Sequence, residues 1–148
     1  MILRPATRAE LPAVLALLAD EERVVDPASV TVTPAHERAF ADIEADARNE
    51  MLVFVDDDGL VVGCLQATYI PGLGKAGAER ALIEAVRVRA DRRGGGLGRE
   101  LMRRAIARAR DRGCGLVQLT SNKSRTEAHR FYDSLGFARS HDGFKLLL

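Results

Sequence analysis

Apolar residues recur along this chain at two different spacings. Near the start, Leu11, Val14, Leu15 and Leu18 repeat at three- and four-residue intervals, which marks one face of a helix. Thr7-Arg8-Ala9-Glu10 just before them has the T-x-x-E form of a capping box, so a helix is expected to run to about Glu22. Thr33-Pro34 is a second start signal, because proline suits the first helical position. Phe40, Ile43 and Ala47 give that helix its apolar side. The spacing then turns strand-like. Ile2 to Arg4, Met51 to Val55, Leu60 to Tyr69, Ala81 to Arg89 and Leu116 to Thr120 read as strands, the second and third joined by an Asp57-Asp58-Gly59 turn. On the fourth, strict alternation puts Leu82, Glu84, Val86 and Val88 on one face and Ile83, Ala85 and Arg87 on the other. Between the third and fourth, Pro71 to Gly77 is a glycine-rich connection. An amphipathic helix follows Gly94-Gly95-Gly96-Leu97-Gly98, burying Leu101, Met102, Ala105, Ile106 and Ala109 and stopping at Gly113. Ser124-Arg125-Thr126-Glu127 is a further capping box. It opens a short helix marked by Ala128, Phe131, Tyr132 and Leu135 and closed by Gly136. Phe137 to Arg139 and Phe144 to Leu148 read as a closing hairpin.

Helices gathered early and strands through the middle define an α/β (α+β) fold in one layered domain, residues 1–148. With 47% hydrophobic and 29% charged residues the chain has the composition of a globular protein, not of a disordered or fibrous one. No apolar run approaches the roughly 18 residues of a membrane span. The opening Met-Ile-Leu-Arg-Pro lacks the apolar core of a secretory signal, so a cytoplasmic location is expected. Cys64 and Cys114 form no C-x-x-C pair, and His36, His129 and His141 are scattered. The expectation is two reduced thiols and no metal.

The net charge of +1 hides an asymmetry. Glu10 to Glu50 holds ten acids and three arginines, a net of −7, whereas Arg87 to Arg112 holds ten arginines and three acids, a net of +7. Two solvated helix faces, or one face for an anion and another for a cation, both fit that count. Nucleic acid is not an expected partner, because the arginines lie on one helix without interleaved aromatics for base stacking.

The segment from Val86 to Arg99 carries the chemistry. It reads strand, loop, glycine run and helix N-terminus. Glycines let the backbone approach a phosphate, and the first amides of the helix point outward where its dipole favours an anion. Arg93 and Arg99 add charge, and a pyrophosphate suits the set. A nucleoside-triphosphate loop is excluded, since no Lys-Ser or Lys-Thr follows the glycines. A dinucleotide fold would place G-x-G-x-x-G early in the chain, and here the glycines come late.

Arg93-x-x-Gly96-x-Gly98, preceded by Val86-x-Val88, resembles the acetyl-coenzyme A motif of the GNAT superfamily of N-acetyltransferases. Asn122 and Ala128-His129-Arg130-Phe131-Tyr132-Asp133-Ser134-Leu135-Gly136-Phe137 resemble that family's second signature. Two positions depart from the pattern: Ala90 stands where proline is frequent and Gly95 where a basic residue is common. The resemblance implies a central mixed, mostly antiparallel sheet flanked by about four helices. It also implies acetyl-CoA as cosubstrate and no metal.

By the same resemblance, Val86 and Val88 offer backbone groups to the pantetheine arm, and the Val88 amide polarises the thioester carbonyl. Gly94, Gly95, Gly96, Leu97, Gly98 and Arg99 hold the pyrophosphate with Arg93. Asn122 bonds the pantetheine arm and Phe131 flanks the cosubstrate. Tyr132 protonates the departing thiolate, and Glu84 is the candidate base, since Ile83-Glu84 resembles the Ile/Leu-Glu-Asp segment of polyamine and glucosamine-phosphate acetyltransferases. The expected activity is acetyl transfer to a primary amine on a small molecule or peptide, with acidic residues of the early helices facing a cationic acceptor. The alternatives are an acyl-CoA-binding sensor or structural module without turnover, and an acyltransferase acting on a protein amine. The resemblance also allows a homodimer. No membrane partner is expected.

Overall fold

The computed structural model describes all residues, Met1–Leu148. Five strands are ordered β1-β2-β3-β4-β5 in one sheet: β1 (Ile2–Pro5), β2 (Asn49–Val55), β3 (Val61–Ile70), β4 (Arg80–Val88) and β5 (Leu116–Leu119). The first four pair antiparallel with their neighbours. The helix between β4 and β5 makes their connection a crossover, the link that joins parallel strands, so the sheet is mixed. The helices are α1 (Leu11–Ala19), α2 (Pro34–Ala45), α3 (Gly74–Gly77), α4 (Leu97–Arg112) and α5 (Thr126–Ser134). Of these, α3 is a single left-handed turn, with Lys75 at φ 51 and Ala76 at φ 58, so four helices are longer than a turn. By its contacts the chain divides into two compact units, Met1–Gln118 and Leu119–Leu148. No helix is long and apolar enough to cross a membrane.

Within the first unit the sheet is covered on both faces. Met51, Val53 and Cys64 project to one side and pack with Leu11, Val14 and Leu17 of α1 and Phe40 of α2. Leu52, Phe54 and Leu65 alternate to the other side, where Leu101, Met102, Ala105 and Ala109 of α4 are buried. Continuous apolar runs in β2 and β3 follow from this, because strands covered twice need no polar face. Gly63 answers a tighter demand. A Cβ there would lie 2.9 Å from the carbonyl oxygen of Arg87 and 3.5 Å from a Leu101 methyl, so only glycine lets β4 and α4 close on β3.

Several expected boundaries shift. α1 does not reach Glu22 but ends at Ala19, with Asp20 as its C-cap in an extended conformation. The Thr7–Glu10 box forms, the Thr7 amide donating to Glu10 at 2.8 Å, but it opens a 3-10 turn before α1 begins. The Ser124–Glu127 box does not form. Ser124 instead gives both its amide and its hydroxyl to the Asn122 side-chain oxygen, at 3.0 and 2.8 Å, and α5 starts at Thr126 without a side-chain cap. The closing hairpin is also absent. Residues 138–148 form no strand, and Phe144, Leu146, Leu147 and Leu148 are exposed. The pattern supplied strand-forming residues, but nothing on the structure gives their backbone a ladder to join.

Glu10 also fixes the entry to α1. Its carboxylate receives two bonds from the Arg4 guanidinium at 2.6 and 2.9 Å, and with the Thr7 amide these hold its pKa down at about 2, from an ordinary value of about 4.5. A lowered folded-state value means stability present above the unfolded value and lost as pH falls through the folded one. Stability should therefore decline between about pH 4.5 and 2, with this pair contributing about 1–2 kcal/mol once the exposure of Arg4 is allowed for. Urea unfolding of Glu10→Gln should show a shallower acid limb than wild type. Equal slopes would reduce the pair to surface decoration.

Candidate active site

The strand predicted to carry the chemistry is bulged. Glu84 sits opposite Gln66 and Arg87 opposite Cys64, but Ala85 and Val86 together oppose Leu65. Ala85 takes a left-handed conformation, φ 54, which costs an alanine on the order of 1–2 kcal/mol. Such bulges re-aim strands next to functional sites. This one overturns the alternation expected for β4. Glu84 and Arg87 share the α1/α2 face through their partners Gln66 and Cys64. Val88, opposite Gly63, lies on the α4 face with Ile83. Glu84 is exposed, so its carboxylate stands at the open part of that face.

Beyond β4, the residues from Ala90 to Arg92 form a 3-10 turn, and Gly94 and Gly96 then take φ of 80 and 85. No atom lies within 4 Å of where a Cβ would stand at Gly94, Gly95 or Gly96, so the loop is open on its outer side. α4 begins at once, with Gly96 as N-cap and no side chain capping it. The amide of Glu100 is the first to bond back, to the Gly96 carbonyl. The amides of Leu97 and Gly98 precede it, in the first turn, where a helix offers no acceptor of its own. An open glycine backbone at the positive end of a sixteen-residue helix suits a phosphate group.

Arg93 is tied inward. Its Nε donates to the Val88 carbonyl at 2.9 Å, and its other nitrogens donate to the carbonyls of Asp20 and Glu21 and to the Asp20 carboxylate. Asp20, which the resemblance groups with Glu21 and Glu22 as facing a cationic acceptor, turns inward to Arg93, and no periodicity marks it. It is the one buried charged side chain of the protein. A cleft of about 230 Å³ opens beside it, walled by Ala13, Leu17, Val25, Pro27, Leu60 and Arg89.

Part of the charge asymmetry of the sequence is taken up by ion pairs inside the first unit. Arg92 pairs with Asp56, Arg104 with Glu100, Arg108 with Glu50 and Arg112 with Glu79. Arg108 and the Tyr69 hydroxyl lower the Glu50 pKa, while burial and that carboxylate push Tyr69 up to about 12. Arg104, Arg108 and Arg112 of α4 are therefore structural struts. Cys64 is buried, and desolvation raises its pKa to about 12, so it stays a thiol and offers no nucleophile.

In the second unit, Asn122 is exposed. Its side-chain oxygen is used by Ser124, and its backbone carbonyl is bonded to the His129 ring at 2.8 Å, so the side-chain NH2 is what remains to donate. His129 thus staples the loop before α5. Tyr132 is half-buried, edge-to-face with Phe131 at 5.2 Å and with Phe137 at 5.9 Å between centroids. That aromatic trio fixes the ring's orientation and explains the F-Y spacing and the Phe137 that follows Gly136.

A mixed sheet whose bulged fourth strand runs into a glycine turn and the head of a long helix leaves an open backbone surface suited to a phosphate. Comparison with known proteins agrees. The model of the acetyltransferase (GNAT) family matches residues 12–137, and the chain belongs to that family. It is 36% identical over 93 residues to a streptothricin acetyltransferase of Streptomyces lavendulae, a match covering 63% of this chain and 47% of that protein. The chain therefore spans about half the length of this curated relative. Among solved structures, a protein from Bacillus halodurans described as a transcriptional regulator superposes with a TM-score of 0.88 at 40% identity, covering 99% of both chains. An acetyltransferase of Trypanosoma brucei superposes at 0.78 with 26% identity, again over 99% of both.

Proposed function

We propose that this protein transfers an acetyl group from acetyl-CoA to a primary amine by direct attack of the amine on the thioester. The observation that carries this reading is the Gly94–Gly98 turn with no side chain capping the head of α4. Acetyl-CoA supplies an activated acyl group, and the protein's residues provide the rest. Amides from Gly94 to Arg99 hold the pyrophosphate. The backbone of Val86 and Val88, re-aimed by the bulge, aligns the pantetheine arm, and the Val88 amide draws negative charge on the carbonyl oxygen. A preorganised donor of that kind is commonly worth about 3 kcal/mol. Asn122 steadies the pantetheine arm, Phe131 flanks it, and the Tyr132 hydroxyl donates a proton to the leaving sulfur. The buried Cys64 thiol supports direct transfer over a covalent relay.

An amine with a pKa of about 10.4 is mostly protonated at neutral pH and must lose a proton to attack. We assign that step to Glu84, acting directly or through water, and its exposure on the α1/α2 face suits the role. Glu84→Gln should slow the reaction most near neutral pH and recover part of its rate as alkali deprotonates the amine. Rate profiles that run parallel to wild type from about pH 6 to about pH 10 would remove Glu84 from the mechanism.

Glu21 and Glu22 remain exposed beside the cleft at the end of α1, and they suit a cationic acceptor. Streptothricin, which the Streptomyces relative's name specifies, belongs among the amines to test. The cytoplasm is the compartment we assign. A second reading is an acyl-CoA-binding module without turnover, with which the Bacillus halodurans relative's description as a transcriptional regulator is compatible. Titration of acetyl-CoA into the protein tests the shared ground of both readings. Saturable one-to-one binding is expected, and an absence of binding would refute both.

A further inference from the structure

Asp20 ends α1, far in sequence from the glycine turn, yet its carboxylate reaches the segment that leads into that turn. It is 3% exposed and is the protein's one buried charged side chain. One oxygen accepts from the Ala90 amide at 2.9 Å, and the other accepts from Arg93 at 3.1 Å. Arg93 in turn grips the Val88 carbonyl at 2.9 Å, the Asp20 carbonyl at 3.1 Å and the Glu21 carbonyl. Four donors of one guanidinium are thereby used within the protein. A charge is buried only where partners replace its water. Here the partners are the first residue of the 3-10 turn and the last residue before the glycines.

We infer that Asp20 is a positioning residue for the acyl-CoA loop, and that Arg93 serves with it as a strut and not as a direct ligand of the pyrophosphate. The inference rests on the reading of that loop as the acyl-CoA site. The pair fixes both ends of the segment from Val88 to Arg93, so the glycine turn that follows leaves from a fixed point and presents its amides in one arrangement. An ordered site forfeits less on binding than one that must first be ordered. The same residue is the C-cap of α1, its amide donating to the Leu17 carbonyl at 3.3 Å, and that end of α1 borders the cleft beside Val25 and Pro27. The cosubstrate loop and that cleft are thus keyed to one buried residue.

The test pairs amide hydrogen exchange with acetyl-CoA titration, on wild type and on Asp20→Asn, which keeps the shape but presents an amide to Arg93. The amides of Arg89, Ala90, Arg92 and Arg93 are all hydrogen-bonded and report the strut. Exchange at these four should quicken by about tenfold or more while the amides of Leu52 to Phe54 in β2 keep their protection. Acetyl-CoA should bind roughly ten- to a hundredfold more weakly, the scale on which small misplacements act. A merely structural Asp20 would lower the unfolding midpoint and leave the affinity of the folded protein unchanged. If Asp20→Asn does not fold, Arg93→Lys, which keeps the charge and loses the fork, takes its place with the same readouts. Wild-type exchange at the four amides, or faster exchange with wild-type affinity, overturns the inference. Failure of the wild-type protein to bind acetyl-CoA overturns the functional reading instead, and the exchange arm still decides whether the strut exists.

Discussion

Replacing Tyr132 with phenylalanine is expected to lower the maximal rate of acetyl transfer by roughly ten- to a thousandfold. The ring would keep its edge-to-face contacts with Phe131 and Phe137, so α5 and the segment after Gly136 retain their packing. Only the hydroxyl is lost. The thiolate would then leave without a proton, and the penalty should fall on turnover while the affinity for acetyl-CoA barely moves. Rapid-mixing kinetics with a confirmed acceptor separate these quantities. Wild-type turnover in Tyr132→Phe would return the residue to a packing role. An equal loss in affinity and rate would mean that the hydroxyl holds the cosubstrate and does not act as an acid.

Gly96→Glu should weaken acetyl-CoA binding at least about tenfold by setting a carboxylate where the pyrophosphate is expected to sit, against the dipole of α4. At φ 85 the substitution also imposes backbone strain on the order of 1–2 kcal/mol. Gly96→Ala carries the same strain without the charge and serves as the control. The space around Gly96 is open, so neither side chain collides with the fold. Calorimetric titration should rank the affinities as wild type, then Gly96→Ala, then Gly96→Glu. Equal affinities in folded variants would place the phosphates elsewhere.

Much of the fold was legible because its signals are local. Proline after Thr33 set the start of α2, Gly113 the end of α4, and the Asp57–Gly59 turn the β2–β3 hairpin. The misreadings share a different cause. α1 stops early because Asp20 turns its carboxylate to a loop seventy residues away, and local periodicity does not register such a partner. The expected alternation along β4 fails at Ala85, a residue with no turn propensity whose left-handed conformation is imposed by pairing with β3. Ser124 offered a helix cap, but Asn122 two residues earlier captured it. Phe144 to Leu148 have strand-forming side chains, yet a strand also needs a backbone partner, which composition does not supply.

For the candidate site, the glycine turn and the aromatic helix were readable because each motif is contiguous. Arg93 was assigned to the ligand on its charge. The structure gives its donors to Asp20 and to three backbone carbonyls, contacts that come from folding α1 against the end of β4. The same holds for Arg108 and Arg112 of α4, part of a net charge that suggested an anion, whose partners are Glu50 on β2 and Glu79 just before β4. Charge counts describe a chain, whereas the field at a site depends on which charges the fold has already neutralised.

The most direct test of the account is free-thiol release from acetyl-CoA in the presence of a panel of amines spanning polyamines, aminoglycosides, amino acids, streptothricin and lysine peptides. The account predicts release that requires both the protein and one class of amine, matched mole for mole by N-acetylated product. Saturable acetyl-CoA binding with no release above background for any amine would contradict it and leave the protein as an acyl-CoA-binding module.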